Sequence, residues 1–350
     1  MELEFGVNIF LGKYFNGNCM NDIYTQIYNE FDNNNSMIVS SRIGDTHEEL
    51  HVLFSLGQPR NRWITIRVPS ISPAYAIAEL IYLISGSDEA TVINPWNPKL
   101  QRYQGNYKYY PGAYGKRLRY SFGFDQLNRA YDALLNEPTS RQVLLDIWNP
   151  EVDLPKNQGK ANNKDIPCNI ISMLKIRQDK LYWSQIMRSN DMYLGLPYDV
   201  LLFTSLQEIL AGWLQIDVGE YTHFCDSLHY YTNNKMHIDE SANILVNTDD
   251  LRLEKNFSDE VFREMFARLN ELSRTNQIDE CVRNILSSLT VPKSYENMLM
   301  ILCMYMLNKK SKKTDLIIEC TNRCTNKLYT ELFIKWETEH KSENYNRRNN

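Results

Sequence analysis

Arg188-Ser189-Asn190-Asp191-Met192-Tyr193-Leu194-Gly195-Leu196-Pro197-Tyr198-Asp199 joins a strand pattern to a long helical pattern. Upstream, 168–177 and 181–188 read as paired strands around Gln178-Asp179, and downstream the apolar spacing predicts a helix over about 199–215. A second helix is expected over 73–85, with Ser72 as cap, Pro73 at the first helical position and Gly86 at the exit. Its apolar positions Ile77, Leu80, Ile81 and Ile84 define one buried face, and Glu79 sits among them. A carboxylate there costs free energy unless it has a partner or a task. A helix over about 124–135 and a strand over about 141–148 follow a long irregular stretch from Trp96 to Tyr120. Strands flank helices without regular alternation, which is an α+β pattern.

Composition bounds the function classes. The chain has 350 residues, 43% hydrophobic and 23% charged, enough to bury a core without a disulfide or metal staple. A formal charge of −5 argues against a dedicated nucleic-acid binder. The 22 Tyr, 13 Phe and 6 Trp exclude disorder over most of the length. The longest nearly uncharged apolar run, Met298 to Leu307, is about half of the ~20 residues a bilayer span needs. The opening Met1-Glu2-Leu3-Glu4 has no basic patch, so no signal peptide is expected. Seven scattered Cys (19, 168, 225, 281, 303, 320, 324) suit reduced thiols and a cytoplasmic location.

The expected organisation is an N-terminal addition over 1–35, a catalytic core over 36–245 and a helical C-terminal extension over 246–350 with a polar tail. Helical spacing recurs there at Phe257 to Leu272, Ile278 to Leu289, Tyr295 to Leu307 and Asn326 to Trp336. Lys309 to Lys313 reads as an exposed basic turn. Cys320 and Cys324 have helical spacing but lack the two further ligands a zinc site requires, so no metal is expected.

Chemistry concentrates around Cys168, in Asp165-Ile166-Pro167-Cys168-Asn169 at the start of a strand. A single Cys is ordinarily a small buried hydrophobe. Here it is accompanied by Arg188-Ser189-Asn190-Asp191, Gly195-Leu196-Pro197-Tyr198-Asp199 and the pair His229 and Tyr231. Upstream come Tyr114-Gly115-Lys116-Arg117, Asp125-Gln126-Leu127, Ser140-Arg141-Gln142 and Trp148-Asn149-Pro150. In this order and approximate spacing, over roughly 38 to 240, these motifs resemble the thymidylate synthase family of pyrimidine C5-modifying enzymes.

The resemblance implies a synthase-type α+β fold, with a mixed sheet at a homodimer interface covered by helices. Cys168 corresponds to the nucleophile that adds to C6 of a pyrimidine nucleoside monophosphate, so that C5 can attack the one-carbon unit of 5,10-methylenetetrahydrofolate, the cosubstrate. Arg188 and Ser189 correspond to phosphate contacts, as does Arg42 in Ser41-Arg42-Ile43-Gly44. Arg141 corresponds to the arginine that reaches the partner's phosphate, although Gln142 stands where many relatives carry a second arginine. His229 and Tyr231 correspond to the pair that bonds the sugar 3′-hydroxyl, and Glu79 to the carboxylate that relays protons around the base. Asp191, Trp96, Tyr114 and Gly195 correspond to the folate side.

The base-reading position departs from the synthases, which carry asparagine where this chain has Asp199. An amide donates to O4 and accepts from N3–H of uracil. Cytosine reverses both groups, and a carboxyl group matches the reversed edge: it accepts from N4–H₂ and, when protonated, gives a proton to N3. An ionised Asp facing uracil would leave buried groups unpaired at about 1–3 kcal/mol or more. Asp199 is what the cytidylate hydroxymethylase branch carries. Asn169, where synthases commonly have His, agrees with that branch. The ending Asn344-Tyr345-Asn346-Arg347-Arg348-Asn349-Asn350 lacks an apolar closing tail, which favours capture of the C5 methylene by water over hydride transfer.

The expected activity is therefore C5 hydroxymethylation of dCMP. CMP hydroxymethylation, as in nucleoside antibiotic biosynthesis, and dUMP methylation are rival enzymes. An RNA-binding or interaction pseudo-enzyme is the non-enzyme rival, whose signature would be loss of the nucleophile or the arginines.

Overall fold

A computed structural model describes residues 12–32, 36–41, 44–105, 107–156, 159, 164–234, 236–239, 241 and 245–349, the last nine as backbone. The main sheet is mixed. Strand β1 (Lys13–Gly17) runs parallel to β3 (Asp45–Leu56), which pairs antiparallel with both β2 (Met37–Ser40) and the fifteen-residue β9 (Asp217–Tyr231). On the other side of β9 lies the parallel β7 (Lys180–Met187), followed by antiparallel β6 (Asn169–Arg177) and β5 (Leu144–Asp146). The short β8 (Asn190–Asp191) continues beside β9, and β4 (Arg67–Val68) pairs with β10 (His237–Ile238). Mixed sheet and packed helices give the α+β class expected from the sequence.

The expected strand pair is β6 and β7. Gln178 and Asp179 form its turn with φ of 51° and 54°. Two successive left-handed residues match the twist of the flanking strands. The segment read as an N-terminal addition supplies edge strand β1 and helix α1 (Met20–Asp32), whose Met20, Ile23, Tyr24, Ile27 and Phe31 are buried.

Helix α2 spans Pro73–Ser85, as its caps predict: Ser72 Oγ accepts from Tyr75 N at 3.2 Å and Gly86 takes φ 72°. Nearly every residue of α2 is buried, because it packs on α8 (Leu196–Leu214) on one side and on the C-terminal helices on the other. A helix apolar all round belongs inside. Between α2 and β5 the stretch expected as irregular folds into α3 (Ala90–Ile93), a short 3₁₀ turn, α4 (Gln101–Gln104), α5 (Tyr114–Lys116) and one π turn, before α6 (Gln126–Asn136). A Cβ at Gly115 would lie 2.2 Å from Leu83 O, so only glycine lets α5 approach α2 this closely. After β5 comes α7 (Pro150–Asp153), whose buried Asp153 pairs with Arg117 at 2.9 Å.

The stretch read as a C-terminal extension contains α9 (Lys255–Arg274), α10 (Ile278–Ser288), α11 (Lys293–Lys310), α12 (Thr314–Arg323) and α13 (Lys327–Asn349). Helix α12 has no counterpart in the sequence reading, and α13 continues into the polar tail. Both α9 and α11 pack on α2. Lys309 and Lys310 of the basic turn reach Pro95 O and Thr275 O. No described helix is long and apolar enough to cross a membrane.

One polar knot fastens core to extension. Glu208, fully buried on α8, pairs with Arg60 at 3.1 Å and with buried Arg62, and accepts from Leu251 N at 3.1 Å. Removing one partner leaves buried charge uncompensated. Glu208→Ala is expected to lower unfolding stability by about 3–5 kcal/mol in denaturant titration. A loss under about 1 kcal/mol would contradict this account of the knot.

Candidate active site

The β6–β7 hairpin sets the centre. Cys168 precedes β6 and Arg188 follows β7, so strand pairing places them side by side, with Arg188 N donating to Cys168 O at 2.9 Å. The Arg188 fork is aimed by two carbonyls: Nε donates to Pro167 O at 2.8 Å and Nη2 to Ile166 O at 3.1 Å. Nη2 then lies 3.7 Å from the Cys168 sulfur. Burial pushes the half-buried thiol above its usual pKa while the Arg188 charge pulls it down. The resting sulfur is therefore a thiol at neutral pH, beside a guanidinium that favours the thiolate as it forms.

A second set arises because β8 runs parallel to the end of β9, with Asp191 opposite His229. Ser189 Oγ lies 3.4 Å from His229 Nδ1, and the His229 and Tyr231 rings meet edge-on at 5.8 Å. Asp191 Oδ1 accepts from Tyr193 N and Leu194 N, both at 2.8 Å, which turns the chain into Gly195. A Cβ on Gly195 would sit 2.7 Å from Asn190 Oδ1 and 3.2 Å from Asp199 Oδ2, so glycine lets these two side chains approach.

Asp199, in the first turn of α8, is buried. Burial pushes its carboxyl well above the usual range; the charge of Glu79 adds to the shift and a hydrogen bond from Asn190 opposes it. Burial thus favours the neutral acid, a form that can donate as well as accept. Behind it stands Asn190, whose Nδ2 is 3.3 Å from Nε2 of the fully buried His223, a ring that burial keeps neutral with a pKa of about 3.

Glu79 has gained a partner that the sequence reading missed. Tyr75 Oη donates to Glu79 Oε1 at 2.6 Å. The signal was present, since residues four apart share a helix face. Burial raises the Glu79 pKa to about 7 and the Tyr75 hydrogen bond lowers it. Removing the phenol should raise it further. For a reaction that uses ionised Glu79 as base, activity grows as pH rises through that pKa. Tyr75→Phe is therefore expected to move the ascending limb of the pH–rate profile upward by about one unit. An unmoved limb would show that Tyr75 does not tune Glu79.

One cavity of about 820 Å³ takes in Cys168, Arg188, Ser189, His229, Tyr231, Glu79, Asp199, Asp191, Trp96, Tyr114 and Gly195. Arg141 is exposed and outside the lining, and Arg42 lies outside the described residues, although its neighbour Ser41 lines the cavity. Tyr114 feels Asp199, Cys168 and Glu79 and is held as a phenol by burial. Trp96 is turned toward the extension, its Nε1 donating to Ser273 Oγ at 2.9 Å. The sequence also did not flag Arg67, buried in the wall, which binds Pro69 O at 2.7 Å and stacks over Tyr193 at 4.4 Å. Among the described residues, Glu79 Oε2, Asn190 Oδ1 and Tyr82 Oη are buried without a hydrogen-bond partner, leaving polar capacity for a ligand around this cavity. No group of three or more His, Cys, Asp or Glu among them is placed to hold a metal ion.

Comparison with known proteins gives these positions a context. A family model described as thymidylate synthase matches residues 51–265. A protein named deoxyuridylate hydroxymethyltransferase from Bacillus phage SP01 is 28% identical over 194 residues, covering 52% of this chain and 50% of its own. One of the same name from Delftia phage PhiW-14 is 29% identical over 191 residues, 52% of each chain. A thymidylate synthase from Francisella philomiragia is 27% identical over 184 residues, 50% of this chain and 65% of its own. The chain thus spans about half the length of the two phage relatives.

Proposed function

The chain belongs to the thymidylate synthase family, and from that premise we propose that it transfers a one-carbon unit from 5,10-methylenetetrahydrofolate to C5 of a pyrimidine nucleoside monophosphate, with dCMP as substrate and 5-hydroxymethyl-dCMP as product. The observation that carries this reading is the convergence of Cys168, Arg188 and Asp199 on one cavity, thiol and guanidinium 3.7 Å apart and the buried carboxyl pushed toward its neutral form. Cys168 adds to C6, and the pair of electrons released toward N3 is met by the Asp199 proton. The Asp199 carbonyl oxygen accepts from N4–H₂. Arg188 and Ser189 take the phosphate, with Arg42 as a further contact. His229 and Tyr231 take the sugar hydroxyl, and Asp191, Gly195, Tyr114 and Trp96 form the folate side.

Water is the final nucleophile in this reading. Hydride transfer needs a site closed against water. Here the cavity lining carries Tyr75, Glu79 and Asn97, a polar set suited to hold and deprotonate water. Two relatives are named as hydroxymethyltransferases.

We further propose a homodimer. Along β6, β7 and β9 the residues alternate between buried and half-exposed, leaving Met173, Tyr182, Ser184, Ile186 and Phe224 on the open face. A second copy packed there would bring exposed Arg141 to its partner's phosphate.

A second reading, hydroxymethylation of dUMP, is favoured by one specific observation. A neutral Asp199 can donate to O4 and accept from N3–H, so it fits uracil as an amide would. The experiment that tests the proposal offers dCMP, CMP and dUMP with tetrahydrofolate and formaldehyde and identifies products by mass. Hydroxymethyl-dCMP as main product supports it. Methylated dUMP alone would replace it with thymidylate synthesis.

A further inference from the structure

The cavity does not end within the core. Its outer wall includes Tyr305 of α11 and Trp336, Glu339 and His340 of α13, all from the extension. We propose that the extension forms the compartment for the one-carbon donor, with Trp336 as the wall against which its planar reduced pteridine and aryl portion packs. This rests on the reaction proposed above, and gives the last hundred residues a ligand-binding role in it.

The aromatic groups that line the cavity form a continuous series. Trp96 and Tyr305 lie 5.3 Å apart, Tyr305 and Trp336 5.6 Å, and Trp336 and His340 5.0 Å with nearly parallel rings. Rigid rings offer broad contact to a flat heterocycle at low entropic cost. The wall is also held in place. Helix α13 buries Leu328, Tyr329, Leu332 and Phe333 along one stripe, and Trp336 is the next position of that stripe, at the cavity. Lys335 Nζ donates to Thr65 O at 3.0 Å, and Glu339 Oε2 accepts from Ser70 N at 2.6 Å. Tyr305 Oη reaches Trp96 O at 3.2 Å, so α11 fixes the loop that carries Trp96.

Size and charge agree with a second ligand here. About 820 Å³ is near the upper end of single-ligand pockets, roughly 300–1,000 Å³, and leaves space beside a nucleotide. Exposed Lys99, Arg102 and Lys164 also line the cavity and suit the carboxylates of a glutamyl tail.

The test uses the full chain and calorimetric titration with 5-formyltetrahydrofolate, a stable stand-in for the donor, in the presence of saturating nucleotide. Trp336→Ala is expected to raise the folate Kd about tenfold or more, to leave the nucleotide Kd within about twofold, and Trp336→Phe should recover most of the loss. His340→Ala, at an exposed position where folding is not at stake, should weaken folate about two- to fivefold. Unchanged folate affinity in Trp336→Ala and His340→Ala overturns the proposal. Equal weakening of nucleotide and folate also overturns it, as does a wild-type chain that takes up no folate. If folate binding depends on Trp336 while no pyrimidine monophosphate is turned over, the wall stands and the reaction assignment falls.

Discussion

Cys168→Ser is expected to lower turnover by about 10³-fold or more and to abolish the covalent protein–nucleotide adduct in intact-mass spectra. The serine keeps the size and position of the thiol, so Arg188 still binds Pro167 O and Ile166 O and nucleotide affinity should change little. What is lost is acidity. A guanidinium at 3.7 Å can draw the half-buried thiol toward its thiolate, but an alcohol starts several units higher and stays protonated. Retained activity in the serine variant would exclude covalent addition at this residue.

The second large effect is a change of base. Asp199→Asn is expected to shift the ratio of kcat/KM for dUMP over dCMP upward by about 10²-fold or more. With dCMP an amide nitrogen would face N4–H₂, donor against donor, unless the amide turned and left N3 without a proton. Unturned, the amide leaves that donor unpaired at about 1–3 kcal/mol; turned, it can pair with both N4–H₂ and N3, but in neither orientation does it have an acid proton to give N3. With dUMP the same amide pairs on both atoms. An unchanged ratio would show that another group reads the ring, and Asn190, with its unpartnered Oδ1 beside Asp199, is the residue to examine next.

Much of this site was legible because its motifs are local. Caps and spacing define α2 and hence the position of Glu79; the two-residue turn at Gln178-Asp179 defines the hairpin that joins Cys168 to Arg188. Long-range pairing was not legible. Strands β3 and β9 make the centre of the sheet, yet buried polar residues such as Ser55 and His223 interrupt their apolar alternation. His223 is accommodated by stacking on Phe54 at 4.8 Å, bonding Tyr221 at 2.9 Å and meeting Asn190 Nδ2 at 3.3 Å, contacts that no spacing announces. The role of Trp336 was hidden for a different reason. Its stripe reads as ordinary core packing, and its arrival at a cavity more than a hundred residues away in sequence depends on how α13 docks on Thr65 and Ser70.

Release of tritium from C5-labelled dCMP and dUMP, with 5,10-methylenetetrahydrofolate present, tests base reading by Asp199 most directly. Loss of the C5 hydrogen requires both addition of Cys168 and correct recognition of the ring. The account predicts release from dCMP that disappears in Cys168→Ser and that exceeds release from dUMP. Release from dUMP with none from dCMP would contradict it.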